Sequence, residues 1–143
     1  VDGCSTEKNF EVKTVVKHEI LEILSAENVV TILTRNPGNF EYSIDGITYQ
    51  LSGIFDQVSG GVYIASVRDL NGCNTATLTF PHIVIQKYFS PNSDGYNDKF
   101  ELKGIEYFKS SFIHVYNRYG KLIKAGEGKN FSWDGSFDGM ALP

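Results

Sequence analysis

Apolar and polar residues alternate along much of this chain with the period of a strand. Phe10, Val12, Thr14 and Val16 alternate with Glu11, Lys13 and Val15, which predicts a half-buried first strand. Glu19 to Leu24 and Val29 to Leu33 are two further apolar segments. Leu and Glu would let His18 to Ala26 be a helix, but Val and Ile on both sides favour strand. Asn36-Pro37-Gly38-Asn39 reads as a turn, after which Phe40, Tyr42 and Ile44 alternate again. Asp45-Gly46 predicts a tight hairpin with Ile47 and Tyr49 on its return. Gly60-Gly61 opens a strand over Val62 to Arg68, Asn71-Gly72 turns it, and Thr75 to Phe80 returns. That density of short strands, about seven in the first 80 residues or so, predicts an antiparallel sandwich.

The spacing changes after a join at Pro81 to Gln86. Ile83 to Tyr88 predicts a strand, followed by a polar loop and then Phe100 and Leu102 in alternation with Glu101 and Lys103. A short helical turn fits Ile105 to Lys109. Phe112 to Asn117 predicts a strand ending at the turn Arg118-Tyr119-Gly120, with Leu122-Ile123 beyond it. The expected architecture is all-β: two small antiparallel β-sandwich units, an Ig-like module over 1–81 and a compact unit over 82–143. The second is expected to have an open sheet edge, which strand addition by a partner would cover.

Composition narrows the function. The 143 residues carry 13 Lys and Arg against 17 Asp and Glu, a formal net charge of −4, whereas nucleic-acid binding needs a basic patch to displace counterions. The cations are scattered, no basic amphipathic helix is present, and no apolar run has the length of a membrane span. Direct membrane insertion is therefore not expected. The chain begins at Val1 without a Met or a signal-peptide pattern, so it reads as a piece of a longer protein whose export signal lies upstream. Its two cysteines, Cys4 and Cys73, are too few for a zinc site. In an Ig-like sandwich the first strand begins at the end where the last hairpin turns, which would bring these two together as a disulfide, the alternative being two independent buried thiols. The long loop such a disulfide closes would stabilise the fold by roughly 4 kcal/mol in an oxidising compartment.

The chemistry concentrates in Phe89-Ser90-Pro91-Asn92-Ser93-Asp94-Gly95-Tyr96-Asn97-Asp98-Lys99-Phe100. Short oxygen-bearing side chains bend backbone and offer ligands. Oxygen-bearing residues at Asn92, Asp94, Asp98 and Glu101 follow the register of a helix-flanked calcium loop, but Pro91 and strand-like flanks take the place of the helices. A partial calcium site at Asp94 and Asp98 is the one cofactor these residue types allow, and Asx turns satisfying the loop's own backbone are the favoured alternative. Arg118 is placed either to pair with Asp98 or Asp134 or to face a partner. Trp133 is expected to anchor the small core, with sugar stacking on Trp133, Tyr119 or Tyr49 as the lesser reading. His18, His82 and His114 have no ligand spacing and read as ordinary surface or half-buried histidines. No nucleophile, base and orienting group can be proposed together, and Asp134 and Asp138 lack the controlled separation a glycosidase pair needs. The chain is not expected to be an enzyme.

Three ordered blocks carry a family resemblance over Tyr88 to Pro143. They are Phe89-Ser90-Pro91-Asn92-x-Asp94-Gly95-x-Asn97-Asp98-x-Phe100, then Val115-Tyr116-Asn117-Arg118-Tyr119-Gly120 with Leu122-Ile123, then Trp133-Asp134-Gly135 with Gly139 and Leu142-Pro143. In these the chain resembles the gliding-motility-associated C-terminal domain, the type B sorting domain of the type IX secretion system. Tyr42-Ser43-Ile44-Asp45-Gly46, Gly61-Val62-Tyr63 and Val67-Arg68-Asp69-Leu70-Asn71-Gly72-Cys73 resemble the Ig-like modules that often precede it. The resemblance implies a folded address on a secreted surface protein or adhesin of a Gram-negative bacterium. Such an address is read after export to the periplasm, by outer-membrane translocon components and a dedicated outer-membrane anchoring protein. The expected partner-facing residues are Asn92, Asp94, Asn97 and Asp98 with Arg118 and Tyr119. A carbohydrate-binding or calcium-dependent adhesive module is the alternative. Ser93 stands where the family usually has Gly, which is tolerable if φ there is ordinary. Family members continue past Leu142-Pro143 into a Gly/aromatic strand pair and a basic end, so the final strands are expected to be missing.

Overall fold

The computed structural model describes residues 6–10, 18–70 and 74–142. Of the strand expected over Phe10 to Val16 only Phe10 is described, exposed and outside any strand; the Asn71-Gly72 turn and the Cys4–Cys73 disulfide fall on residues outside these. Among the described residues the chain is all-β, built of small antiparallel sheets with two short 3-10 turns and no α-helix.

Six strands form the first region: β1 (Ile20–Ala26), β2 (Val29–Thr34), β3 (Phe40–Ser43), β4 (Ile54–Phe55), β5 (Gly61–Asp69) and β6 (Thr75–His82). One sheet has the order β1-β2-β4 and the other β3-β5-β6. Alternation turns Val30 and Ile32 of β2 inward, where they meet Phe40, Ala65, Val67 and Phe80 from the opposite sheet. This buried aliphatic layer is what holds the two sheets face to face. Pro81, within β6, pairs with Val62 at the edge of its sheet, where a missing N–H costs no ladder bond.

The tight hairpin expected at Asp45-Gly46 does not form. The Ser43 hydroxyl accepts from Gly46 N at 2.9 Å and donates to Asp45 Oδ1 at 2.8 Å. The same Asp45 oxygen accepts from Ile47 N and Thr48 N. Side-chain oxygens thus satisfy the backbone that a return strand would have used. The chain pairs again only at the isolated bridge between Tyr42 and Gln50, leaving Ile47 exposed.

The second region holds β7 (Phe100–Glu101), β8 (Phe112–Tyr116), β9 (Leu122–Glu127), β10 (Ser132–Trp133), β11 (Ser136–Phe137) and β12 (Met140–Ala141). They pair as β7 with β10, β8 with β9 and β11 with β12. The strand expected over Ile83 to Tyr88 is absent. That stretch runs outside any ladder, and the Gln86 side chain does part of a ladder's work. Its amide donates to Asn97 Oδ1 at 3.2 Å and accepts from Glu101 N at 3.3 Å. An aromatic cluster centres this region, with ring centroids 5.5 Å apart for Phe89 and Trp133 and 6.2 Å for both Phe89–Phe100 and Phe100–Phe131. Trp133 anchors it as expected, its indole N–H donating to Ser136 O at 2.8 Å.

The two regions meet through backbone. Gly104 is buried with φ +88, and a Cβ there would lie 2.7 Å from His82 O and 2.9 Å from Gly61 O. His82 is fully buried at the junction. Its ring bonds the Ser25 hydroxyl at 2.7 Å and Val58 O at 3.2 Å. His18 is buried too, edge-on to Phe40. Both therefore depart from the expected surface or half-buried placement: His18 packs with the sandwich core and His82 closes its lower end. His114 is exposed as expected.

Candidate functional site

The loop between Phe89 and Phe100 reverses direction within a few residues, so its backbone groups must be satisfied locally. Its own acids and amides do this. Asp98 accepts from Ser93 N at 2.6 Å through one oxygen and from Gly95 N at 2.8 Å through the other. Asp94 accepts from Tyr96 N at 2.7 Å and from the Asn92 amide at 2.7 Å, and Asp94 N donates back to Asn92 Oδ1. Ser90 N donates to Asn97 O at 2.8 Å and closes the base. The Asn92 amide, and after it the Tyr96 N–H, hold the Asp94 carboxyl below its ordinary value.

These bonds are the Asx turns the sequence favoured. All four carboxylate oxygens of the expected calcium pair already accept from the loop itself. Among the described residues no group of three or more His, Cys, Asp or Glu is placed to hold a metal ion.

Three residues of the loop adopt left-handed backbone: Ser93 at φ 63, Gly95 at φ 85 and Asn97 at φ 52. Ser93 therefore does not have the ordinary φ under which a serine in a glycine position would be free of strain. The φ > 0 requirement was not visible from Ser itself.

One side of this loop looks toward the sandwich. Asn97, Asp98, Gln86 and Lys103 line a polar cleft of about 830 Å³ whose far wall is Gln57 and Ser59. Arg118 and Tyr119 lie elsewhere, in the turn joining β8 to β9, where Asn117 Oδ1 accepts from Tyr119 N and Lys121 N. Among the described residues no hydrogen bond or ion pair joins them to the loop. The expected pairing of Arg118 with Asp98 or Asp134 does not occur, because those carboxylates serve the loop backbone and Ser136. The Arg118 guanidinium instead lies 5.7 Å from the centre of the Tyr119 ring. The six expected partner-facing residues thus form two separate groups.

The other aromatic candidates are engaged. Arg68 lies over the Tyr49 ring at 3.7 Å and bonds Glu41 at 2.7 Å. Trp133 belongs to the core cluster, and only Tyr119, 83% exposed, projects freely enough to stack on a ligand. No helix among the described residues is long and apolar enough to cross a membrane.

Residues 83–143 match the family model of the CHU_C Type IX secretion signal domain. This stretch belongs to that family. The match begins at the residue after the buried His82 and covers the loop, the aromatic cluster and the β8–β9 hairpin. No curated protein and no solved structure matches the chain. The signal domain's role is C-terminal secretion, which implies contact with the type IX machinery and export to the cell surface or the extracellular space.

Proposed function

We propose that this chain is the non-catalytic C-terminal region of a secreted surface protein or adhesin. In this reading the Ig-like unit over 1–81 is a spacer, and the unit from 82 onward is read by the outer-membrane translocon and held at the surface by a dedicated anchoring protein. The observation that carries it is the family match over residues 83–143. The self-bonded loop supports it further, since short polar residues spent on fixing backbone give a shape to recognise and leave no group free for chemistry. The backbone contact at Gly104 supports a sandwich that presents the signal in a fixed attitude.

The test is a fluorescent reporter fused ahead of the whole chain in a bacterium with a type IX system. The reporter is expected at the cell surface, sensitive to added protease. Retention in the periplasm would count against the reading.

Calcium has no part in this function. Melting temperatures in chelator and in millimolar calcium are expected to coincide, since a ligand of the native state would raise stability. A rise in calcium would restore the adhesive alternative.

A further inference from the structure

Residues 83–88 have the sequence of a strand without a strand's hydrogen bonds. Ile83-Val84-Ile85 is β-branched throughout, and such residues fit a pleated, half-buried surface. The β5–β6 ladder ends at the pair Gly61–His82. Beyond it, among the described residues, no hydrogen bond reaches a backbone N–H or C=O from Ile83 to Tyr88. The loop that follows bonds its own backbone through Asp94 and Asp98. Residues 83–88 contain no Ser, Thr, Asn or Asp with which to do the same.

The Gln86 side chain ties this stretch to Asn97 and to Glu101 of β7, and its backbone stays open. Ile85 is 66% and Tyr88 73% exposed, so the stretch lies at the surface. A hollow of about 340 Å³ lies against it, lined by Glu27, Val29, Ile83, Ile85 and Lys87. Backbone decides what fits there. Donors and acceptors alternating along an extended chain match another extended chain residue for residue, a repeat that neither a lipid headgroup nor a glycan possesses. Val29, Ile83 and Ile85 give one face of an added strand an apolar lining, and Glu27 and Lys87 leave the hollow without a net charge. Asn28, in the β1–β2 turn, borders both this hollow and the polar cleft on Val84 and Gln86. A lone peptide passes that turn, whereas a second folded copy would bring its own turn against it.

We propose that residues 83–88 accept an extended peptide segment of another protein as an added β-strand, with β-branched residues at alternate positions facing the hollow. Main-chain bonds supply the affinity and the hollow selects the side chains. This goes beyond the secretion reading, which the reporter fusion tests separately.

Amide hydrogen exchange of the purified chain tests it, with the peptide acetyl-KVTVTVK-amide as probe. In the chain alone the amides of 83–88 should exchange without protection. With peptide at about ten times its dissociation constant, alternate amides of the stretch should slow about tenfold, because only every second N–H of a strand faces a given edge. The fully N-methylated peptide keeps the side chains, loses the donors and should protect nothing. Val84→Pro and Ile85→Pro each remove an N–H that bonds nothing in the fold, one from each edge. Both should melt like the parent, and one of the two should lose the protection.

No slowing by the peptide, equal slowing by its methylated form, or loss of protection with neither proline overturns the strand site. Protection present before peptide is added overturns it too: rising with chain concentration it means a second copy, and independent of concentration a segment of the same chain. If a proline variant melts lower, the methylated peptide on the unchanged chain decides the question.

Discussion

The sandwich and the signal domain hold their shapes by different means. Among the described residues the buried hydrophobic ones are Val30, Ile32, Phe40, Val58, Ala65, Val67 and Phe80 in the first region and Phe131 in the second. The first has ladders up to the length of β5–β6, from Gly61–His82 to Arg68–Thr75, closed over a dry layer of side chains. The second has ladders of two residues at β7–β10 and β11–β12, half-buried rings, and turns held by carboxylates. Among the described residues five glycines at positive φ (Gly95, Gly104, Gly120, Gly135 and Gly139) fall there, against Gly46 in the first. A fold specified by turns keeps its surface geometry fixed residue by residue. It has little core to spare and leans on its neighbour.

The largest expected effect tests that dependence. Gly104→Ala adds a Cβ at φ +88 against two backbone oxygens, His82 O at 2.7 Å and Gly61 O at 2.9 Å, and neither can rotate away. A loss of about 3 kcal/mol is expected from left-handed strain together with overpacking. In urea the midpoint of the signal domain's unfolding, followed by the fluorescence of Trp133, should be lowered in the variant. A change below about 0.5 kcal/mol, the range of ordinary surface substitutions, would mean that the signal domain does not need the junction.

Asp98→Ala is next. It leaves the N–H groups of Ser93 and Gly95 without their acceptor, and a loss of about 1–2 kcal/mol is expected for two charge-assisted bonds at a half-exposed site. Amide exchange at Ser93 and Gly95 should accelerate while the β5–β6 ladder keeps its protection. Slow exchange at both amides in the variant would show that the loop is held by something other than this carboxylate.

The same contrast explains how much could be read in advance. The strands of the sandwich were legible because one face of each is buried, so alternation such as Phe40, Tyr42 and the run into Val67 records a real core. Ile83-Val84-Ile85 carries an equally good strand signal and forms none. It pairs with none of the described strands, and the Gln86 side chain bonds across instead. At Asp45-Gly46 the turn was legible and its width was not, because Ser43, two residues earlier, captures the backbone donors. The loop at 92–98 was recognisable by residue type, including its Asx turns. The left-handed φ of Ser93 and the separation of Arg118 from the loop depend on backbone path and were not.

Ser93→Gly sharpens the comparison in the opposite direction. Removing a Cβ from φ 63 relieves about 1–2 kcal/mol of left-handed strain, and the added freedom of an unfolded glycine offsets part of it. A net gain of about 0.5–1 kcal/mol is expected, read as a rise of a few degrees in Tm for a chain of this size. The matching change Glu27→Gly, at φ 51 between β1 and β2, should give a similar gain in the sandwich. If only the sandwich variant gains, Ser93 is not strained as its φ indicates.

The smallest effects concern acid, because the carboxylates involved are exposed and solvent screens them. Ile47 N–H, Thr48 N–H and the Ser43 hydroxyl hold Asp45 far below the ordinary 3.8. The Asn92 amide and Tyr96 N–H lower Asp94, and the Ser136 hydroxyl and N–H lower Asp134. A carboxyl whose folded pKa lies below its unfolded value contributes fully above the unfolded value and loses its contribution as pH falls through the folded one. The contribution of these three carboxylates should therefore be level from pH 7 to about 4.5 and decline below about pH 4, where the unfolded chain binds protons first. Urea midpoints across this range check the slope, and Asp45→Asn and Asp94→Asn assign it by region. Asp94→Asn should flatten the acid limb of the signal domain's unfolding and leave that of the sandwich unchanged, with the reverse for Asp45→Asn. If either change flattened both limbs equally, the two regions would be a single electrostatic and cooperative unit, and the contrast between a core-built and a turn-built half would fail.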